Sequence, residues 1–234
     1  MMAWFGRRVT TPALLVVAML VGFAVILGCA IAAGELLGLA ERPDGATAVD
    51  SSITSWVVAH RAPVLTSLAR LLSTLGSQTV LIPLTVIATV ALLGRRRWVL
   101  AGLLVAAWVG AIGMYSLTKH FVDRMRPPMN IWLTDVGRTS SFPSGHATQS
   151  LATFVALVLA GAVIFPTARW PGRAIAVALA IGVGWSRVYL GVHWATDVGA
   201  GWLIGAGWLA IVVWLARAAE LIQQRRRGGR QLET

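Results

Sequence analysis

The chain has 234 residues, of which 57% are hydrophobic and only 12% charged, with a formal net charge of +11. A soluble domain of this size carries about a quarter charged residues, so the composition argues for a membrane solvent. The positive charge does not indicate a nucleic-acid partner, because it sits in short arginine runs beside long apolar stretches, as at Arg95, Arg96 and Arg97 and again at Arg225, Arg226 and Arg227. That placement fits membrane orientation and anionic headgroups.

A spanning helix needs about 20 mostly apolar residues. Six candidate spans follow in chain order: 13–33, 79–94, 98–118, 147–165, 174–190 and 198–216. The fold class expected is therefore all-α, a six-helix integral membrane bundle forming one domain over 1–225, with a disordered basic tail at 226–234. The first span lies between Arg8 and Glu35. An alternative reading of this region is a lipoprotein signal ending at Ile26-Leu27-Gly28-Cys29, but the apolar run continues past Cys29. Cys29 is the single cysteine, which rules out an internal disulfide. Between the first two spans, Pro43-Asp44-Gly45 reads as a turn. Asp50 or Ser51 is positioned to cap a short interfacial helix with Ile53, Trp56 and Val57 on its apolar face. A second such helix places Val64, Leu65, Leu68, Leu71 and Leu72 on one side. Both are expected to pack over the bundle.

Six spans put both termini on one side. Arg7, Arg8, Arg95, Arg96, Arg97, Arg169, Arg173, Arg217 and the C-terminal arginines share it, and the positive-inside rule makes it cytoplasmic. The other side keeps Arg42, Arg61, Arg70, Lys119, Arg124, Arg126, Arg138 and Arg187. Gly201 and Gly205 in the last span form a small-xxx-small pattern, read as close helix packing.

Ionisable residues at membrane depth need a reason. Here they fall in three stretches: Lys119 to Arg126-Pro127, Pro143-Ser144-Gly145-His146, and Ser186-Arg187 to His193 and Asp197. By the topology above, all three lie at the outer ends of helices and can converge. Lys119 (the sole lysine), Arg126 and Arg187 are three cations able to surround one anion, and fixed cations stabilise a phosphoryl group in flight. A span-end lysine also has a plain snorkelling explanation. Ser144 and Gly145 precede an apolar helix, whose N-terminus can bind phosphate through free N–H groups; a simple helix cap is the structural alternative. His193 and Asp197 are four apart, which on a helix puts imidazole and carboxylate on one face. The carboxylate fixes the tautomer and leaves the other nitrogen free to attack phosphorus. His146 is placed to protonate the leaving oxygen. A metal held by His146, His193 and Asp197 is disfavoured by the three nearby cations. His60 and His120 receive no role.

The pattern Lys-x6-Arg-Pro, Pro-Ser-Gly-His and Ser-Arg-x5-His-x3-Asp, in order over Lys119 to Asp197, resembles the type 2 phosphatidic acid phosphatase (PAP2) family. The resemblance implies a metal-independent phosphatase that needs no cofactor. It assigns His193 as nucleophile through a phosphohistidine, Asp197 as its orienting partner and His146 as general acid. Lys119, Arg126, Ser144, Gly145 and Arg187 hold the phosphate. Pro128 stands where some members carry another basic residue. Vanadium haloperoxidases share the pattern, but six spans argue against them. A membrane lipid phosphate or diphosphate is the expected substrate, at the outer interface, with polyprenyl diphosphate slightly ahead of phosphatidate and phosphatidylglycerol phosphate. A lipid phosphotransferase using the same site, and a lipid-phosphate binding or transport protein without a nucleophile, are the competing readings. The sequence carries no signal for oligomeric state.

Overall fold

The computed structural model describes residues 12–40, 46–137, 139–164, 167 and 169–231. The turn expected at Pro43-Asp44-Gly45, and Arg7, Arg8, Arg42 and Arg138, lie outside them. The described residues are all-α, with eight α-helices: α1 (Pro12–Leu39), α2 (Ala48–Ala59), α3 (Pro63–Leu75), α4 (Gln78–Gly94), α5 (Trp98–Phe121), α6 (Gly145–Gly161), α7 (Arg169–Tyr189) and α8 (Ala195–Gln231). A 3-10 turn at Met129–Ile131 interrupts the long loop between α5 and α6.

Three of these helices, α1, α5 and α8, are long and apolar enough to cross a membrane. A fourth crossing arises if α3 and α4, bent by 45° at a short break, count together. The remaining two expected spans differ for physical reasons. α6 has only 17 residues, and its buried positions include Thr148, Gln149, Ser150 and Thr153. α7 contains Arg169, Arg173 and Arg187. α6 is wrapped by α5, α7 and α8 and needs no apolar surface all round, whereas α7 keeps an exposed apolar face at Ile175, Val177 and Ile181 and carries its arginines toward its two ends. The stretch expected to be disordered from 226 is helical as far as Gln231, as a continuation of α8.

α6 is the hub, packing against α5, α7 and α8, while α1 lies against α5 and α8. One apolar core joins Leu104, Ala107, Ala111 and Met114 of α5 to Ala152 and Ala156 of α6 and Trp208 of α8. Glycines set the α6–α8 approach. A Cβ at Gly205 would lie 2.6 Å from the Thr148 carbonyl oxygen, and one at Gly201 2.8 Å from that of Ser144. The small-xxx-small pair is thus a close helix contact, and it brings the start of α6 against α8.

α2 and α3 differ from expectation in register. The cap of α2 is Thr47, whose hydroxyl accepts from the Asp50 N–H while Asp50 reaches back, a reciprocal capping box. The inward face of α2 is Asp50, Thr54 and Val57; Ile53 and Trp56 are exposed. Of the expected apolar face of α3, Val64, Leu65, Leu68 and Leu71 face outward, while Leu72 is half-buried against Gly182 of α7. Ala69 and Ser73 are its buried residues, and the helix packs on α7.

Candidate active site

The turn at Arg95, Arg96 and Arg97 joins α4 to α5, so the C-terminal end of α5 lies a helix length away from those arginines. At that far end the N-termini of α4, α6 and α8 meet the C-termini of α5 and α7. Between them is a cavity of about 310 Å³. Lys119, Arg126, Gly145, His146, Arg187 and His193 all line it, and Gln78, Tyr115, Asp135, Val136 and Gln149 complete the wall. Ser144 and Asp197 are fully buried immediately behind, with the Ser144 N–H donating to the Asp197 carbonyl at 3.0 Å. The three sequence stretches therefore converge on one cavity.

His193 does not share a helix face with Asp197. It lies in the turn before α8, and Asp197 is in the first turn of that helix. Asp197 Oδ2 accepts from the Trp194 N–H at 2.9 Å, the back-bond of a capping box. This brings the carboxylate to His193 Nδ1, 3.3 Å away. The same Oδ2 accepts from Ser141 Oγ at 2.5 Å. With Nδ1–H directed at a carboxylate, Nε2 keeps its lone pair. Nε2 lies 3.3 Å from Arg126 Nη1, on the cavity side. Burial depresses the His193 pKa to about 3, although Asp197 pulls it upward, so the ring is neutral.

The three cations are anchored by neutral oxygens. Lys119 Nζ donates to the Ser140 and Ser141 carbonyls. It is thus turned into the protein and does not snorkel. Arg126 donates to the Thr139 carbonyl at 2.9 Å, the Val192 carbonyl at 2.6 Å and Thr139 Oγ1 at 3.0 Å. Burial lowers its pKa from the ordinary arginine value, with Asp197 opposing, and arginine stays charged. Arg187, 3% exposed, donates to Ser73 Oγ of α3 while its Nε has no partner. Ser144 occupies the N-cap position of α6 without capping it, and its buried Oγ is also unpartnered. A buried donor without a partner is costly. Two such groups at one cavity suit a ligand rich in acceptors.

Sequence reasoning missed the support behind Asp197. Arg124, which had been counted only toward topology, is 3% exposed. It donates from Nη1 to Asp197 Oδ1 at 2.6 Å and from Nη2 to Asp50 Oδ2 at 2.8 Å. Burial opposes its charge, but Asp197 and Asp50 more than compensate and raise its pKa. The signal was present as two isolated carboxylates in a chain poor in acids, with an arginine at a helix end. The pairing itself spans 73 and 74 residues and leaves no periodic trace. Among the described residues, no group of three or more His, Cys, Asp or Glu is arranged to hold a metal ion. Cys29 is exposed on α1.

A helical membrane protein with a cationic pocket and an imidazole held on a carboxylate belongs to the class of phosphoryl-transfer enzymes acting at a bilayer surface. The model of the PAP2 superfamily matches residues 97–220, and the chain belongs to that family of membrane lipid phosphatases. It is 33% identical over 149 residues to an undecaprenyl-diphosphatase of Sulfolobus acidocaldarius, covering 62% of this chain and 68% of that one. It is 36% identical over 168 residues to a decaprenylphosphoryl-5-phosphoribose phosphatase of Mycobacterium tuberculosis, covering 70% and 86%. The crystal structure of a transmembrane PAP2-type phosphatidylglycerolphosphate phosphatase from Bacillus subtilis superposes with a TM-score of 0.70 at 26% identity, over 84% of this chain and 96% of that one.

Proposed function

We propose that the chain hydrolyses a lipid phosphate or diphosphate at the extracytoplasmic membrane–water interface, without a metal, through a phosphohistidine on His193. One observation carries this reading. His193 lines a cavity with Lys119, Arg126 and Arg187, its Nδ1 lies 3.3 Å from the buried Asp197, and its Nε2 stands 3.3 Å from Arg126 Nη1, which gives way to a bound phosphate. The phosphoryl oxygens take the three cations, Ser144 Oγ and the N–H groups of the first turn of α6 at Gly145. His146 takes up a proton once the bound phosphate has offset the cations around it; Nε2 then attacks phosphorus, the bond from phosphorus to the lipid-side oxygen breaks, and His146 gives that oxygen its proton. His146 then takes a proton from water, whose oxygen attacks phosphorus. The P–N bond breaks and its electron pair returns to Nε2. Asp197 stabilises the positive ring between the two steps.

Six crossings, by α1, α4, α5, α6, α7 and α8, put the arginine-bearing turns and both termini in the cytoplasm and the cavity outside. A cavity of about 310 Å³ is small among ligand pockets, so it suits a headgroup while the chain stays in the bilayer. Polyprenyl-linked substrates are favoured, because two of the relatives are named for undecaprenyl and decaprenyl compounds.

The test is phosphate release by the detergent-purified protein from a panel of polyprenyl diphosphate, phosphatidate and phosphatidylglycerol phosphate, with a chelator present. Release from at least one lipid, abolished in His193→Ala, is expected. Release that stops with chelator would overturn the metal-free mechanism. A His193→Ala variant that keeps full function would instead indicate a binding or transport protein. Label passing to an added alcohol in place of water would identify a transferase.

A further inference from the structure

Asp50 lies on α2, outside the residues matched by the family model, yet it is fully buried against the nucleophile's supports. Its Oδ2 accepts from Thr47 Oγ1, Arg124 Nη2 and Thr196 Oγ1, each at 2.8 Å, and its Oδ1 from the Thr196 N–H at 3.0 Å. Fully buried and with both oxygens filled by donors of the chain, it is out of reach of the cavity. It fixes the angle of Arg124.

An arginine beside a carboxylate tends to pair bidentately, one nitrogen to each oxygen. Arg124 does not do so with Asp197. One nitrogen, Nη1, grips Oδ1 at 2.6 Å, and Nη2 is turned away to Asp50. Asp197 Oδ2 is thereby left for His193 Nδ1, Ser141 and the Trp194 N–H. Without Asp50, Nη2 loses the acceptor that turns it away, and the guanidinium can swing about its Nη1 bonds to Asp197 Oδ1 and Thr196 Oγ1 toward the fork geometry that competes with His193 for Oδ2.

We propose that Asp50 is a positioning residue for the reaction: by holding Arg124 side-on it reserves one Asp197 oxygen for the nucleophilic histidine, so that α2 is part of the catalytic apparatus. The proposal rests on the phosphohistidine reading of His193. The test uses the full chain in detergent with a labelled lipid substrate and compares Asp50→Asn, Arg124→Gln and the double variant. Asp50→Asn should slow kcat and single-turnover labelling by about 10- to 100-fold. KM and inhibition by inorganic phosphate should stay within about twofold, since the cationic pocket is untouched. Most of the Asp50→Asn loss should disappear in the Arg124→Gln background, the small remainder reporting the Asp50 bonds to the Thr196 N–H and Oγ1. If Asp50→Asn does not fold, Thr196→Val, which removes the hydroxyl bridging the pair, should show the same split at roughly threefold. Wild-type labelling rates in the variant that folds would overturn the proposal. So would parallel loss of turnover, phosphate affinity and thermal stability, the signature of a merely structural role. A wild-type enzyme that releases phosphate but never carries label would refute the phosphohistidine instead, and a kcat change in Asp50→Asn would still report the bracing.

Discussion

Replacing Asp197 by Asn tests the arrangement at its centre, because asparagine keeps the size and changes one oxygen into a donor. If the amide nitrogen takes the Oδ1 position, it faces Arg124 Nη1, which stands 2.6 Å from that site, donor against donor. If it takes the Oδ2 position, it faces the Trp194 N–H at 2.9 Å and His193 Nδ1 at 3.3 Å. The Ser141 hydroxyl can turn and accept, but the Trp194 N–H cannot. Placing the amide nitrogen at Oδ2 leaves the charged Arg124 paired, so that orientation is the less costly. His193 must then accept at Nδ1 and carry its proton on Nε2, the nitrogen that attacks. A wrong tautomer of this kind costs about 10⁴-fold in kcat where it has been measured in Ser-His-Asp enzymes, or about 5.4 kcal/mol of barrier. The fall expected here is about 10³- to 10⁴-fold in kcat, with KM little changed because Lys119, Arg126 and Arg187 remain. Steady-state phosphate release from lipid in mixed micelles measures both parameters. An Asp197→Asn enzyme within about tenfold of wild type would refute the claim that this carboxylate sets the histidine's tautomer.

The remaining predictions concern pH and packing. On the proposed mechanism His193 attacks as the neutral ring, and burial keeps its pKa at about 3. A plot of kcat/KM against pH should therefore show no acid limb from this group between about pH 5 and 8; a limb centred near the ordinary histidine value of about 6.5 would contradict it. The same depression means that the unfolded chain binds the proton first, so this group's contribution to stability is lost as pH falls from 6.5 toward 3. At Gly205 a side chain would meet the Thr148 carbonyl at 2.6 Å, a backbone atom that no rotamer change can move aside. Gly205→Leu should lower thermal stability by about 1–3 kcal/mol or more, whereas Gly199→Ala, with nothing within 4 Å, should be close to neutral. Equal melting temperatures for the two variants would count against the α6–α8 contact.

The convergence of the candidate site was legible in the sequence because membrane burial makes every ionisable residue conspicuous. Lys119, Arg126, His146, Arg187 and His193 stand out against apolar helices and line one cavity. What was not legible has a common cause. Asp50 looked like a helix cap, and Arg124 like a topology signal, because each has a local explanation and their bond is long-range. The apolar face of α3 was visible, but hydrophobicity in a bilayer does not distinguish inside from outside: Leu68 and Leu71 face outward while Ala69 and Ser73 pack inward. Likewise α6 is too short and polar for a hydropathy criterion because other helices, rather than lipid, surround it. His193 and Asp197 meet through a helix-start back-bond, which the four-residue spacing allowed for the wrong geometric reason.

The charge balance of the site narrows what it is built to hold. Two buried carboxylates, Asp50 and Asp197, are both taken up by Arg124. The polar partners of Lys119, Arg126 and Arg187 are carbonyl and hydroxyl oxygens together with a neutral imidazole, none of which carries a counter-charge. Three basic groups around one cavity, with Asp135 as a carboxylate on the same wall, still repel one another in a low-dielectric surrounding, and a further anion relieves that repulsion. A single carboxylate would leave most of that charge unmatched, whereas a phosphate ester brings nearly two negative charges and three acceptor oxygens. A diphosphate brings more of both. The unpartnered Arg187 Nε adds a donor at the wall, and the unpartnered Ser144 Oγ another immediately behind it. The cavity's own polar groups thus call for a multiply charged, oxygen-rich headgroup, and the neutral Nε2 of His193 lies where such a group must sit.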